Sequence, residues 1–100
     1  MSTPGQLNLT RRRPRNYFEW DALRRWDKLP EREASVPGFL LRLAREEAGI
    51  TQAGLAQMLG VTQQAVAQAE KWDSNPTIAF IKRWADACNH RLEYRLVPDS

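Results

Sequence analysis

Residues 51–70, "TQAGLAQMLGVTQQAVAQAE", contain two short amphipathic segments separated by a glycine. Leu55 and Leu59 fall on one face of the first segment, and Val66 lies on the inner face of the second. Gly60, between the segments, readily adopts the positive backbone angle that a tight turn requires. This is the pattern of a helix-turn-helix, in which two short helices are joined by a glycine-containing turn.

Capping residues set the expected limits of both helices. Thr51 is a suitable N-cap for a helix over 52–59, and Thr62 for a helix over roughly 63–71. The small side chain of Ala56 lets the two helices approach each other closely. The capping residues and the glycine between the helices therefore make the helix-turn-helix interpretation more specific.

The outward face of the second helix is neutral and rich in amides. At 100° per residue, Gln64, Ala67 and Gln68 point outward and Gln63 lies at the edge. A glutamine amide matches the N6 and N7 edge of adenine in the DNA major groove, and a small Ala67 lets the helix sit close to the bases. The alternative is an ordinary helix surface, since glutamine is a good helix former. We predict base contact by all four residues.

Three more helices are expected around this motif. Asn16 caps one over about 17–28, a second spans about 38–48, and a third runs from Thr77 to about Cys88. The first has an apolar repeat that either covers the core or builds a dimer contact. The predicted apolar faces are Phe18, Ala22, Trp26 and Leu29 in the first helix, Leu40, Leu43 and Ala44 in the second, and Ile78, Ile81, Trp84, Ala85 and Cys88 in the third.

The apolar period changes near the end of the chain. In "RLEYRLV", residues 91–97, the apolar Leu92, Tyr94 and Leu96 alternate with charged residues, which predicts a half-buried strand. A lone strand needs a partner. We favour the same strand of a second subunit in a two-fold dimer; the stretch "QLNLT" at 6–10 and a strand of another protein are alternatives. The segment would otherwise be an irregular tail packed on the body.

The predicted fold class is therefore all-α, a bundle of four to five helices with a short C-terminal β-strand. The predicted divisions of the chain are a basic arm at 1–15, an N-terminal helix and linker at 16–37, the helix-turn-helix domain at 38–90, and a strand and tail at 91–100.

Positive charge is concentrated at the N-terminus. The chain has 15 Lys and Arg against 12 Asp and Glu. Arg11, Arg12, Arg13 and Arg15 lie in the first fifteen residues, which contain no acid. Such an arm suits a polyanion, either nucleic acid or an anionic membrane surface, and the simpler alternative is a solvated tail. On DNA it would follow the phosphates or enter a minor groove.

Several classes of site are not expected. The single cysteine, Cys88, cannot form an internal disulfide, and no apolar stretch is long enough to cross a bilayer. Cys88 and His90 are the only soft metal ligands, whereas a structural zinc site needs four. Glu46 and Glu47 diverge on their helix and make a poor acid–base pair. We predict no catalysis, no cofactor and no metal, and a location in the bacterial cytoplasm, on the nucleoid.

The quoted stretch resembles the lambda-repressor-like (XRE) helix-turn-helix family, which includes phage repressors, Cro proteins and bacterial antitoxins. The resemblance spans about residues 38–90. It implies an operator in double-stranded DNA as partner, with a set of residues for each role. Base contacts fall to Gln63, Gln64 and Gln68, phosphate contacts to Gln52, Ser74 and Asn75, and a largely buried salt bridge to Arg45 and Glu70. We predict a further phosphate contact at Thr62.

Three positions depart from the family pattern. Gly54 stands where the family usually has Glu, and Ala69 replaces a larger aliphatic residue. Trp72 stands where glycine normally ends the second helix, so we expect this helix to end differently or to run on. The orientation of the following loop, "DSNP", depends on how this helix ends, so its phosphate contacts, Ser74 and Asn75, are the weaker candidates.

The predicted function is sequence-specific DNA binding by a transcription regulator, with repression as its role. One alternative is an antitoxin that also binds its own promoter, with residues 1–35 or the final strand neutralising a toxin. The other is a protein-interaction module that keeps the fold without reading DNA.

Overall fold

The computed structural model describes residues 14–99, and within them it forms six helices. No strand occurs in this range. The prediction of an all-α fold is confirmed. The helices are α1 Tyr17–Arg25, α2 Glu31–Ala34, α3 Pro37–Glu47, α4 Gln52–Leu59, α5 Gln63–Ala69 and α6 Ile78–Ala87. The short α2 lies in the segment that the sequence predicted as linker.

Most helix ends follow from local capping. Asn16 accepts a hydrogen bond from the backbone of Glu19 at 2.9 Å at the start of α1. That helix ends earlier than predicted because Asp27 takes a left-handed conformation, with φ 55°, and Lys28 N–H bonds back to the Leu23 carbonyl at 2.9 Å. This is a Schellman ending, which satisfies the last carbonyls of a helix. The chain ends α6 in the same way, at Asn89 with φ 61°.

The predicted apolar repeat of α1 does not cover the core; its other predicted role, a dimer contact, stays a prediction. Phe18 and Trp26 are 72% and 75% exposed, whereas Tyr17 and Trp20 are buried. The inward residues pack against Phe39 of α3. Trp20 also donates its ring N–H to the Glu33 carbonyl at 2.7 Å. Two aromatic residues one turn apart therefore override the longer apolar repeat on the other face, because each buries more surface and the indole finds a polar partner.

The predicted face of α3 also needs correction. Leu40 is 42% exposed, and Leu43 is only partly buried. Phe39 and Leu41 are buried instead, in two separate clusters. A helix packed on two sides needs a wider apolar surface than a single stripe, and this is why a one-sided interpretation of α3 fails.

The main core lies where α3, α4, α5 and α6 meet. Trp84 of α6 is completely buried and donates its ring N–H to the Leu41 carbonyl at 2.9 Å. Ala85 and Cys88 are buried as predicted, but Ile78 is 54% exposed, because it lies in the first turn of α6, before the turns that reach the core. The buried members of this cluster are Leu41, Leu55, Ala56, Leu59, Val66, Ala69, Trp84 and Cys88.

The predicted strand over 91–97 is not formed in the described chain. Residues 90–99 adopt no helix or strand, and within the described range no backbone–backbone hydrogen bond involves residues 91–99. Tyr94 and Leu96 are 72% and 97% exposed. A strand requires a second strand, and residues 14–99 supply none. The alternative partner at 6–10 lies outside the described residues.

Candidate nucleic-acid interface

The two helices of the motif are α4 and α5, and each begins at a threonine cap. Thr51 accepts a hydrogen bond from Gly54 N–H at 3.0 Å, and Thr62 accepts one from Ala65 N–H at 3.0 Å. Gly60 ends α4 in the left-handed region, with φ 69°, and Val61 N–H bonds back to the Ala56 carbonyl at 3.0 Å. The turn thus fixes the direction in which α5 leaves α4.

The end of α5 lacks the left-handed residue that glycine provides in the family. The cap residue, Glu70, has φ −85°, and Trp72 is not among the described residues with positive φ. The helix therefore ends at Ala69, two residues before its predicted limit. Ser74 secures the chain that follows, since its hydroxyl donates to the Ala69 carbonyl at 2.7 Å.

One face of α5 is exposed and carries amides. Gln63, Gln64 and Gln68 are exposed, Ala67 is half-buried, and Val66 is fully buried. No residue within Gln63–Ala69 is charged. An edge made of amides offers both donors and acceptors, as the edges of base pairs do.

A buried ion pair ties α5 to α3. Arg45 Nε donates to Glu70 Oε2 at 2.5 Å, and its Nη2 donates to Oε1 at 3.1 Å. The two side chains are 10% and 4% exposed. Arg45 also donates to the Ile50 carbonyl at 2.8 Å, and the hydrogen bond from Arg45 to Glu70 raises the pKa of the arginine.

Gln52, at the start of α4, joins the same network. Its Nε2 donates to Glu70 Oε1 at 3.0 Å. Glu70 therefore accepts from α3 and from α4 at once, and these bonds hold the end of α5 against both helices. Breaking such a pair leaves an uncompensated buried charge, which costs about 3–5 kcal/mol.

The sequence interpretation missed the role of Gly38. A Cβ atom added to this residue would lie 2.0 Å from the carbonyl oxygen of Lys71, far inside van der Waals contact. The first turn of α3 therefore packs directly on the backbone that follows α5. The one available signal was a glycine in the first turn of a predicted helix, where it weakens the helix and often marks a close approach.

A cleft of about 480 Å³ lies beside α5, and we call it the Arg15 cleft. It joins the start of α1 to α3 and to the end of α5. Tyr17 donates its hydroxyl to Glu46 at 3.1 Å, and the Arg42 guanidinium lies 4.2 Å from the Tyr17 ring centroid. Burial, assisted by Glu46, raises the pKa of Tyr17 to about 12. The lining includes Arg15, Tyr17, Arg42, Gln52, Ala67 and Lys71.

The remaining predicted phosphate residues are placed unequally. Thr62 and Asn75 are exposed, and the Thr62 hydroxyl that accepts at the cap still has a proton to donate. Ser74 is half-buried, and its proton is donated to Ala69. Arg15 is largely exposed and pairs with Glu19 at 3.0 Å. The other predicted arm residues, Arg11, Arg12 and Arg13, lie outside the described residues.

The described range offers no cluster of metal ligands and no membrane-spanning helix. Residues 14–99 contain no group of three or more His, Cys, Asp or Glu side chains that would hold a metal. Cys88 is 1% exposed, and burial raises the pKa of its thiol. His90 Nε2 lies 3.4 Å from Glu47 Oε1, and His90 Nδ1 lies 2.6 Å from the Cys88 carbonyl oxygen. Among the described helices, none is long and apolar enough to span a membrane.

Comparison with known proteins relates the chain to a family of helix-turn-helix domains. A family model described as helix-turn-helix matches residues 41–94, just over half of the chain. It begins inside α3 and covers α4, α5 and α6, so that α1 and α2 lie outside it. No curated protein and no solved structure matches the chain.

Proposed function

The chain belongs to the lambda-repressor-like helix-turn-helix family of DNA-binding regulators, and from that premise we propose that it is a repressor that reads operator bases with α5. The observation that carries this proposal is the exposed, uncharged amide face of a helix whose end is fixed from two sides. Gln63, Gln64 and Gln68 would hydrogen-bond base edges, and Ala67 would approach a thymine methyl group.

Affinity for the DNA phosphates would come from residues that flank the amide face of α5. Charge on α5 would raise affinity for any sequence, whereas neutral amides discriminate between sequences. Thr62 and Asn75 are exposed beside α5 and would donate to phosphate, with Ser74 as the weaker candidate because its hydroxyl proton is already used. Gln52, which belongs to the Arg45–Glu70 network, would contact a phosphate of the DNA backbone. Arg15 and the predicted arm residues Arg11, Arg12 and Arg13 would supply positive charge.

The test is a comparison of amide-deleted variants on two kinds of DNA. A cognate duplex is first selected from a random pool by repeated binding to the wild-type protein. Gln63→Ala and Gln64→Ala should each lose about 1–3 kcal/mol of binding free energy on that duplex and little on random DNA. Fluorescence anisotropy measures both affinities.

Gln57→Ala is the matched control, because Gln57 is an exposed glutamine of α4 that lies outside the proposed site. It should bind both duplexes as the wild type does. An equal loss on cognate and random DNA for the α5 variants would contradict base reading. Failure to select any sequence would instead favour a protein-interaction module.

We further propose that the protein acts as a homodimer in the bacterial cytoplasm. Two-fold dimers of helix-turn-helix proteins place two copies of the reading helix on half-sites about 34–36 Å apart. The selected sequence should then be palindromic.

An antitoxin is the second candidate function, and one observation favours it. Helices α1 and α2 lie outside the matched region, and α1 presents the exposed side chains of Phe18 and Trp26. A DNA reader does not need this extra surface, whereas a protein that neutralises a toxin does. Co-expression with the product of the adjacent gene tests this alternative. Phe18→Ala and Trp26→Ala should abolish protection from toxicity and leave operator binding unchanged. Variants that still protect the cell but bind the operator more weakly would rule out the antitoxin hypothesis.

A further inference from the structure

The C-terminal segment 91–97 combines exposed apolar side chains with an alternating pattern. Tyr94, Leu96 and Val97 are 72%, 97% and 66% exposed. Within the described chain no backbone–backbone hydrogen bond involves this segment. In an extended chain, Leu92, Tyr94 and Leu96 would share one face, and the charged residues would share the other. The segment thus has the composition of a strand and no partner within residues 14–99.

The body offers an apolar groove next to this segment. The groove has a volume of about 440 Å³ and lies between α3 and α6, with residues 90–93 along its edge. Leu40, which is 42% exposed, lines it. Its apolar lining also includes Leu43, Ala44, Ile81, Ala85 and Leu92. An apolar strand face that continues from Leu92 would extend this surface.

The alternating charges of the segment are complementary to those of a second copy of the same segment. When two identical strands pair antiparallel about a two-fold axis, residues equally far before and after the central residue face each other. With Glu93 at the centre, Glu93 would face Glu93 and Arg91 would face Arg95, and both contacts are repulsive. With Leu92 at the centre, Arg91 faces Glu93, but only residues 91–93 of the segment pair with their copies. With Tyr94 at the centre, all of residues 91–97 pair, Glu93 faces Arg95 twice and Leu92 faces Leu96 twice.

We infer that residues 91–97 form an antiparallel two-stranded ribbon centred on Tyr94 across the two-fold axis of a homodimer, with its apolar face continuous with the groove between α3 and α6. Pro98 follows directly and has no N–H to donate, which ends the ladder. This inference rests on the proposed homodimer and not on base reading by α5.

Charge reversal tests the register. Glu93→Arg alone sets arginine against arginine, and Arg95→Glu alone sets glutamate against glutamate. Each change reverses both cross-strand ion pairs, so the dimer dissociation constant should rise about tenfold. Mixing the two variants should restore association, because every cross-strand pair in the mixed dimer is attractive. The double variant Glu93→Arg/Arg95→Glu should also recover. Sedimentation equilibrium measures all four.

Arg91→Glu tests the register itself, because Arg91 faces Val97 when Tyr94 is at the centre and would face Glu93 if Leu92 were at the centre. The Arg91–Glu93 contact within one chain, at 2.5 Å, joins two exposed side chains and contributes little. The dissociation constant of this variant should stay within about twofold of the wild type.

Three results would overturn the ribbon. They are a wild-type chain that is monomeric at every concentration, single variants that dimerise normally, and rescue of Glu93→Arg by Arg91→Glu in place of Arg95→Glu. Binding to a duplex with a single half-site separates this failure from failure of base reading. A monomer that still prefers its half-site keeps the DNA-reading proposal intact.

Discussion

The carboxylate of Glu70 shows how one residue connects the fold to its site. It is 7% exposed, lies at the end of α5, and accepts hydrogen bonds from Arg45 and Gln52. No residue within α5 is charged, so this carboxylate, at the cap of the helix, makes the ion pair that joins the end of α5 to α3. The outward amides are therefore positioned by a contact on the opposite side of the helix.

Removing one partner of this pair should lower the free energy of unfolding more than removing both partners. Glu70→Ala leaves Arg45 buried without its counter-ion, and we expect a loss of about 3–5 kcal/mol in the free energy of unfolding. The double variant Arg45→Met/Glu70→Leu should lose clearly less, since no buried charge remains. Urea denaturation measures both. A single variant within about 1 kcal/mol of the wild type would show that the pair does not hold α5.

Gly38 provides a second prediction at a single residue. Gly38→Ala gains about 1 kcal/mol of helix propensity. Its new methyl group would lie 2.0 Å from the Lys71 carbonyl oxygen, so backbone must move. Overpacking of this kind costs about 1–3 kcal/mol, and we expect a net loss of stability together with weaker operator binding. Thermal unfolding and anisotropy measure the two effects.

Gly54→Ala is the matched control for that change. Its added Cβ would lie 3.1 Å from the Thr51 hydroxyl oxygen and 3.5 Å from an Ile50 methyl carbon, so a shift of a few tenths of an ångström accommodates it, whereas the contact at Gly38 is with backbone at 2.0 Å. We expect a change of less than about 1 kcal/mol in either direction. Equal destabilisation by both alanines would contradict a special role for Gly38.

At the scale of elements, the local signals in the sequence were sufficient for some features and insufficient for others. The limits of α4 were predictable because Thr51 and Gly60 cap it on both sides. The buried face of α1 was not, because the repeat of Phe18 and Trp26 competes with Tyr17 and Trp20, and only contact with Phe39 of α3 decides between them. The contact between Gly38 and the Lys71 backbone was not predictable either, because it depends on how α3 packs against the chain that follows α5.

The N-terminal helix is predicted to be a separable addition to the motif. Trp20→Ala removes a fully buried ring that packs on Phe39 and bonds to the Glu33 carbonyl. We expect a loss of up to about 3–5 kcal/mol, concentrated in α1 and α2, while α4 and α5 stay folded. Amide hydrogen exchange measures protection helix by helix.

Trp26→Ala is the control for this helix, since Trp26 is 75% exposed. Its effect on stability should stay within about 0.5 kcal/mol. If Trp20→Ala instead lowered protection in α4 and α5 to the same degree as in α1, the extension would be part of a single cooperative unit.

At the scale of the whole molecule, the net positive charge and the proposed base-reading surface lie in different parts of the chain. Residues 16–100 carry eleven Lys and Arg against twelve Asp and Glu, whereas residues 1–15 carry four arginines and no acid. Ala67 and Lys71 line the Arg15 cleft together with Arg15 itself. The predicted arm therefore joins the described fold next to α5. The likeness to known regulators was predictable from the motif alone; this proximity was not, because it depends on how α1 packs against α3.

The arm should therefore control how steeply binding falls with salt. Each phosphate neutralised on duplex DNA contributes about 0.9 to the slope of log affinity against log salt. Replacing Arg11, Arg12 and Arg13 by glutamine should flatten this slope by about 3 units on cognate and random DNA alike, leaving the preference between them nearly unchanged. The corresponding lysine variants keep the charge and should keep the slope. An unchanged slope in the glutamine variant would mean that these arginines do not touch the phosphates, and the affinity would then have to come from Arg15 and the lysine and arginine side chains beside α5.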